Sequence, residues 1–246
     1  MFAYVRRLAI TLPIALCVLG ASQAVAGSAT APLVEPDVIA PAPIKLDLRG
    51  FYVGGDLAYA FGSGDDVGQR APNGSLVATP GTLEPGGFNY GLRFGWRNTV
   101  PTSGLAYVYG VELGYGGGDI SDSFTTATHQ ASIDVKNTLV LRFKGGFANT
   151  RGNMQYYGII GYARGDIDYS VSGTAGGDTI SLSDQSDYDG YLLGLGVERV
   201  LRDNLSMTLE YEYTRFNSKT LTDASGSSTV ATPSYGNLRL GLNFAF

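Results

Sequence analysis

The feature that most limits the fold of this chain is a series of eight segments in which apolar side chains alternate with polar or small ones. A period of two is the pattern of a β-strand with one apolar face. Each segment has about ten residues, the length that a tilted strand needs to cross a membrane. The segments are residues 51–61, 88–97, 107–115, 139–148, 154–164, 188–200, 205–216 and 236–246. The series predicts an all-β fold, a transmembrane eight-stranded antiparallel up-and-down β-barrel.

The register is clear in every segment except the fifth. In residues 236–246, leucine and phenylalanine occupy every even position from Leu238 to Phe246, whereas the odd positions are polar or small. A strand of this kind fits a wall between lipid and a polar interior. Residues 154–164 carry apolar side chains at both odd and even positions, so their register is left open.

The end of the chain also carries a recognisable signature. Arg239-x-Gly241-x-x-Phe244-x-Phe246 resembles the C-terminal signal that the outer-membrane assembly machinery reads. Residues 48–246 as a whole resemble the OmpA-like family of small outer-membrane β-barrels, in particular the alphaproteobacterial porin-family and surface-antigen type without a peptidoglycan-binding domain. The resemblance implies the outer membrane of a Gram-negative bacterium, contact with its lipid and lipopolysaccharide, and a role in envelope integrity and surface interaction.

The first 48 residues differ in composition from the rest. Residues 1–26 have two arginines, an apolar run and a small-x-small site formed by Ala24 and Ala26, which together predict a cleaved signal peptide. Residues 27–48 are rich in proline and alanine and predict a periplasmic lead-in. The barrel is assigned to residues 49–246. Cys17 lies in the signal peptide, so the mature chain has no cysteine for a disulfide or a thiolate site.

The net charge bears on the possible partners of the chain, and the lengths of the connections bear on its orientation in the membrane. Without the signal peptide the chain has 15 basic and 22 acidic residues and no basic cluster, which argues against nucleic acid as a partner. The connections alternate between short and long. Short turns belong on the periplasmic side, so both termini are expected there. The long connections are expected to be surface loops that meet an extracellular ligand: residues 62–87, 116–137, 165–187 and 217–235.

Ten charged residues fall on the inward side of the predicted strands. They are Asp56, Arg93, Arg97, Glu112, Arg142, Lys144, Glu198, Glu210, Glu212 and Arg239. An eight-stranded barrel is only wide enough for side chains to fill it, and enclosed charges must pair. We therefore predict a lumen plugged by paired charges. The alternative is a narrow, gated channel for small solutes or ions, in which these pairs exchange partners.

Two motifs of the form aromatic-Gly-x-x-x-Gly-aromatic lie in the second and third segments. They contain Gly91 and Gly95, and Gly110 and Gly114. Gly-x-x-x-Gly in an apolar helix indicates helix dimerisation, but here a charge lies between the glycines and the aromatic residues have period two. We interpret the glycines as inward positions that leave room for bulky neighbours.

Enzymatic readings rest on few residues. The only histidine, His129, lies in a predicted loop three residues before Ser132, and an outer-membrane enzyme acting on lipid A or phospholipid would need such a pair. Aspartates 166, 168, 187 and 189 could serve as acid catalysts or hold a divalent cation shared with lipopolysaccharide. Haem, which some members of the resembled family capture, would find one axial ligand here. We predict no enzyme, no cofactor and no metal site.

Overall fold

The computed structural model describes residues 49–102, 105–149 and 152–246, so the predicted signal peptide and lead-in lie outside the described residues. Within them no helix is both long and apolar enough to cross a membrane. The described residues form twelve β-strands. These are β1 (Gly50–Gly62), β2 (Asp65–Arg70), β3 (Leu76–Leu83), β4 (Gly87–Pro101), β5 (Ala106–Thr125), β6 (His129–Ala148), β7 (Met154–Ala175), β8 (Asp178–Arg202), β9 (Leu205–Phe216), β10 (Lys219–Thr222), β11 (Ser228–Ala231) and β12 (Ser234–Ala245).

Eight of these strands close into a barrel. The order around the ring is β1-β12-β9-β8-β7-β6-β5-β4, and each pair of neighbours is antiparallel. β1 closes the ring by pairing with β12, for example Leu57 with Leu240. The fold is the predicted eight-stranded up-and-down barrel. All eight predicted segments coincide with its strands, apart from the terminal Phe246, which follows β12.

An apolar belt covers the outside of the barrel. Each strand contributes side chains that are about half exposed or more, among them Leu57, Leu92, Leu113, Phe143, Ile160, Leu195, Leu209 and Leu240. Aromatic residues lie at both margins of this belt, where Tyr59 packs edge-on against Phe88 at a centroid distance of 4.9 Å and Tyr107 against Phe147 at 5.6 Å. This is the arrangement of a barrel that crosses a membrane, with an apolar band about 25 Å tall between two aromatic girdles.

The register that the sequence left open is settled in β7. Tyr156, Ile160 and Tyr162 point outward, whereas Tyr157 and Ile159 are buried in the lumen. The inner face of this strand is therefore also largely apolar, because it fills the lumen with large uncharged side chains. That is why its alternation could not be read from the sequence.

The four long connections lie at the barrel end opposite the termini, as predicted, but they consist largely of β-strand. β5, β6, β7 and β8 continue far past the belt, and β7 and β8 meet at a two-residue turn of Gly176 and Gly177 with φ of 63° and 90°. Register shifts after Gly117 and Val135 change which face each residue takes. The expected loops were wrong in conformation because these shifts interrupt the period of two, and because the outward residues beyond them are as polar as a loop.

The other four strands form a second sheet in the order β10-β11-β2-β3. This sheet packs against the extensions of β5–β8, and we call the whole structure beyond the belt the dome, residues 62–87, 116–137, 163–190 and 214–236. Its two sheets enclose an apolar core of residues with at most 1% exposure: Val67, Leu83, Ile133, Ile167, Tyr169 and Ile180. The extramembrane part is thus folded around its own hydrophobic core.

Candidate functional site: the charged lumen

The structure places all ten sequence-predicted charges inside the barrel. Nine of them are buried, and the side chain of Lys144 is 12% exposed. Seven of the eight barrel strands contribute at least one of these charges, since alternation turns every second residue inward. β7 is the exception and contributes Gln155 and Tyr157 instead. Five acidic and five basic side chains therefore share one narrow interior.

The centre of the lumen is a cluster of three acids and three bases. Arg142 binds Glu212 with two hydrogen bonds, from Nε at 2.6 Å and from Nη2 at 3.0 Å. Lys144 Nζ lies between Glu112 at 2.8 Å and Glu210 at 2.7 Å. Arg93 Nη1 donates to Glu210 at 3.1 Å. Every carboxylate in the cluster thus faces at least one cation, which offsets the cost of removing these charges from water.

Two further groups extend the network toward the barrel ends. On the dome side Asp56 pairs with Arg239, and Arg93 Nε lies 3.5 Å from the same carboxylate. On the periplasmic side Arg97 Nη1 lies 2.5 Å from Glu198 Oε1, and Gln155 also donates to Glu198. All ten charges therefore have a partner of opposite sign.

Neutral side chains that the sequence analysis did not single out complete the network. The hydroxyl of Tyr52 donates to Glu112 at 2.8 Å, and that of Tyr157 donates to Glu210 at 2.7 Å. Thr208 accepts a hydrogen bond from Arg93 at 3.1 Å. The signal for Tyr52 was present, because it lies four residues before Asp56 and so on the same face of β1.

The inward glycines leave the space that these side chains fill. A Cβ placed on Gly95 would lie 2.3 Å from the ring of Tyr52, and one on Gly114 would lie 2.4 Å from Arg142 Nη1. A Cβ atom in a real structure essentially never comes this close to an atom to which it is not bonded. The interpretation of the two glycine motifs as room for bulky neighbours therefore agrees with the structure.

Two small spaces lie among the lumen charges. One cavity of about 10 Å³ lies beside Asp56, Arg142 and Arg239, and another of about 20 Å³ lies beside Arg97, Lys144 and Glu198. A cavity of this size holds about one water molecule. Water in these cavities would bond to charged groups.

An apolar layer at the base of the dome lies above the charges. Phe216 and Tyr235 take inward positions of β9 and β12, one inward position beyond the buried polar residues Thr214 and Asn237. They are 1% and 4% exposed, and their ring centroids are 6.3 Å apart. Leu192 and Ala60 are buried in the same hydrophobic cluster. The sequence analysis missed this layer, because these residues lie beyond the charged positions at the strand ends.

The residues considered for catalysis or for binding haem are used differently. His129 is the first residue of β6 and is buried in the dome, with Nε2 2.6 Å from Gln69 Oε1 and Nδ1 2.9 Å from Thr128 Oγ1. Ser132 lies on the opposite face of the strand and pairs with Ser170. The histidine and this serine therefore do not form a dyad, and both ring nitrogens are already engaged.

The aspartates considered for metal binding lie on the outer surface of the dome. Asp168 pairs with Lys136, and Asp187 Oδ2 lies 2.6 Å from Arg164 Nη2. Across the described ranges, no group of three or more His, Cys, Asp and Glu residues is arranged to hold a metal ion.

One buried acid gives the dome a pH-dependent stability. Asp65 is 2% exposed and accepts hydrogen bonds from Thr232 N at 2.9 Å and Thr232 Oγ1 at 2.5 Å. Burial raises the pKa of Asp65 and Asp66 adds to the rise, while the bonds from Thr232 offset part of it. A carboxyl whose pKa is higher in the folded state favours folding when it is protonated.

We therefore expect the contribution of Asp65 to the stability of the dome to increase as the pH falls through its raised pKa toward the ordinary aspartate value near 4. Protease resistance of the dome, measured from pH 7 to pH 4, checks this. Asp65→Asn should remove that part of the pH dependence, whereas Asp66→Asn, at an exposed neighbour with a smaller influence, should keep most of it. Equal pH dependence in the Asp65→Asn variant and the parent would contradict the assignment.

The geometry defines a class of protein. A closed antiparallel barrel with an apolar belt, aromatic girdles and a polar interior is an outer-membrane β-barrel. Residues 14–246 match the family model described as outer membrane protein beta-barrel domain, and the chain belongs to that family.

Relatives of known location agree with this class. The 31 kDa outer-membrane immunogenic protein of Brucella melitensis is 26% identical over 226 residues, which cover 86% of this chain and 90% of the relative. The 22 kDa outer membrane protein of Rhizobium leguminosarum bv. viciae is 31% identical over 196 residues, which cover 76% of this chain and 74% of the relative. Among solved structures, OprG of Pseudomonas aeruginosa matches 81% of this chain and 98% of its own at 14% identity and a TM-score of 0.47. The chain is an outer-membrane protein.

Proposed function

We propose that this protein is a closed outer-membrane barrel that supports envelope integrity and presents a folded dome for surface interaction. In this proposal it is neither a channel nor an enzyme. The observation that carries it is the paired lumen, in which ten charges are bonded to one another and capped by an apolar layer. The barrel anchors the protein in lipid and the dome meets the surroundings.

The closed lumen follows from the cost of moving any one charge. Arg142 is bonded to Glu212 and Glu112, and Lys144 to Glu112 and Glu210, so a displaced side chain would leave at least one buried carboxylate short of a cation. Breaking a buried pair in this way costs several kcal/mol. An ion would also have to pass the buried rings of Phe216 and Tyr235, and one hydroxyl group does not replace its hydration shell.

The proposed surface role rests on the dome. Its strands form a hydrophobic core of their own, so it can present a defined surface above the membrane. The Brucella relative is named as an outer-membrane immunogenic protein, which agrees with a surface role. The partners that we propose are outer-membrane lipid and lipopolysaccharide around the barrel, an extracellular ligand at the dome and the barrel assembly machinery during biogenesis.

One pair of residues resembles an activated nucleophile and illustrates why we propose no enzymatic role. Lys219 Nζ lies 2.5 Å from Ser186 Oγ and 3.1 Å from Asp184 Oδ2. An amine acts as a base only when it is deprotonated, but here the ammonium donates to both the hydroxyl and the carboxylate. Burial raises the pKa of Asp184, but hydrogen bonds from Ser186 and Lys219 outweigh this and lower it. This pair ties β10 to β8.

A narrow gated channel is the second candidate, favoured by the two water-sized cavities among the lumen charges. Conductance of the refolded mature protein in a planar bilayer distinguishes the two, with folding verified beforehand by the gel mobility of unheated and boiled samples. The closed barrel predicts a silent bilayer. Discrete openings that change in Glu112→Gln, and not in the matched surface variant Glu84→Gln, would establish the channel and overturn our proposal.

The terminal aromatic residue gives a test of the assembly signal. Phe246 is 70% exposed, and its backbone N donates to Phe51 O at 3.0 Å. We expect Phe246→Ser to lower the amount of protein in the outer membrane, because the machinery would lose its terminal aromatic contact. Quantitative blotting of outer-membrane fractions measures this. Phe88→Ser removes a girdle aromatic of similar exposure, 73%, and should have the smaller effect. Equal levels in both variants would refute the signal.

A further inference from the structure

The outward face of the β5–β8 extension is continuous with the lipid belt. β7 and β8 have 22 and 25 residues, whereas about ten suffice to cross the membrane. About twelve residues of each strand therefore stand beyond the belt, roughly 40 Å measured along the strand. The pairing of β7 with β8 continues from the belt into the dome without a register shift. The outward side chains of both strands therefore point away from the barrel axis, toward the layer that surrounds the barrel above the acyl chains.

This face carries rows of hydroxyl and amide side chains, joined in the third row by two carboxylates, of which Asp168 pairs with Lys136. The register aligns four strands in three successive rows, here called the hydroxyl face. The rows are Thr125, Gln130, Ser172 and Ser181; Ser123, Ser132, Ser170 and Ser183; and Ser121, Asp134, Asp168 and Gln185. No aliphatic or aromatic side chain interrupts them. The face is thus a regular surface of short polar groups on a rigid sheet.

Most of these groups keep their hydrogen-bonding capacity unused. Ser132 and Ser170 bond to each other at 2.8 Å. Within the part of the chain that the structure describes, the side chains of Gln130, Ser172 and Gln185 are exposed and make no hydrogen bond to protein. Hydroxyls and amides both donate and accept, so they complement another surface of hydroxyl groups.

The composition of the face argues against other occupants. Protein interfaces have cores enriched in aromatic residues and methionine, and the hydroxyl face has neither. Acyl chains would leave its polar groups unsatisfied. The dome has thirteen acidic and five basic residues, so its field repels phosphate groups. The remaining match is an uncharged saccharide.

We propose that the hydroxyl face binds the saccharide chains of the lipopolysaccharide molecules that surround the barrel in the outer leaflet. Each contact is a single, water-exposed hydrogen bond and is therefore weak. The rows offer many such contacts, however, to a saccharide chain that its lipid already anchors beside them. The sugar layer would then hold the dome upright and join the protein to the envelope surface. This inference deepens the proposed contact with lipopolysaccharide and rests on that part of the proposed function.

Site-specific photocrosslinking in intact cells tests the proposal. A photoreactive amino acid replaces Ser170 or Ser183 on the hydroxyl face, or Thr82 or Thr220 as matched controls on the outward side of the second sheet. We expect adducts that carry lipopolysaccharide to form several-fold more often from the first two positions. These adducts should be lost in a strain whose lipopolysaccharide lacks its saccharide chain.

Three outcomes would overturn the inference. Equal yields at all four positions would show that the hydroxyl face has no preference for saccharide. Adducts with a protein would show that the occupant is of another class. Adducts that persist without the saccharide chain would place the contact on lipid. Because conductance is measured separately, a conducting barrel would overturn the proposed closed lumen and leave the crosslinking result standing.

Discussion

Replacing Arg142 with methionine is expected to destabilise the folded barrel by about 3–5 kcal/mol, the cost of leaving buried charges without their partner. Arg142 makes two hydrogen bonds to Glu212 and one to Glu112 at 3.3 Å. Methionine fills part of the volume but supplies no donor. Glu212 would then keep only the more distant Arg239 at 3.5 Å, and Glu112 would depend on Lys144 at 2.8 Å and Arg93 at 3.8 Å.

Urea unfolding of the protein in lipid vesicles, followed by tryptophan fluorescence of Trp96, measures this change. Arg215→Met is the matched control, since Arg215 is exposed on the outside of β9, and it should change the stability little. The double variant Arg142→Met with Glu212→Gln should recover part of the loss, because the excess negative charge left by the loss of Arg142 is then removed. A stability equal to that of the parent in Arg142→Met would show that the lumen charges are solvated and that the plug is absent.

Replacing Ile167 with aspartate is expected to unfold the dome and to leave the barrel closed. Ile167 is fully buried between the two sheets of the dome, close to Tyr169 and Ile133. Loss of a buried isoleucine costs about 2–5 kcal/mol, and an unpaired carboxylate in the same position adds to it. The strands of the barrel keep their ladder and their lumen network, so the two parts should respond separately.

Limited proteolysis on intact cells separates the two responses. Cleavage within residues 116–137 and 163–190 should become rapid in Ile167→Asp, while the protected core should keep the anomalous gel mobility of a folded barrel. Ser170→Asp introduces the same side chain three residues away on the outer face and should remain resistant. If Ile167→Asp also abolished the folded mobility, the dome and barrel would form one cooperative unit.

The two predictions address the two parts of the proposed function. The lumen network decides whether the barrel is closed, and the dome core decides whether the extracellular part has a fixed surface. A protein that is anchored in the membrane and presents a surface needs both a closed barrel and a folded dome, whereas a channel would need mobile lumen charges. The magnitudes differ from those of ordinary surface changes, which are usually within about 0.5 kcal/mol.

Local alternation determined much of this protein. The side of each lumen charge follows from its position in its own strand, so Glu210 and Glu212 could be placed inside without any knowledge of the fold. The lipid-facing leucines and the short periplasmic turns followed from the same pattern. The number of strands required only counting, and closure into a barrel followed because open edges are not tolerated in lipid.

The tertiary structure alone decided which charges meet and what lies above them. Arg142 and Glu212 are 70 residues apart, and their contact depends on the stagger of strands around the ring. The second sheet joins β2 and β3 to β10 and β11 across most of the chain, and its short strands look like polar loops in sequence. Alternation determines whether a residue faces the lumen or the lipid, because this orientation depends on the residue's own strand alone. Partners and the dome core depend on the closure of all the strands together, which no single segment encodes.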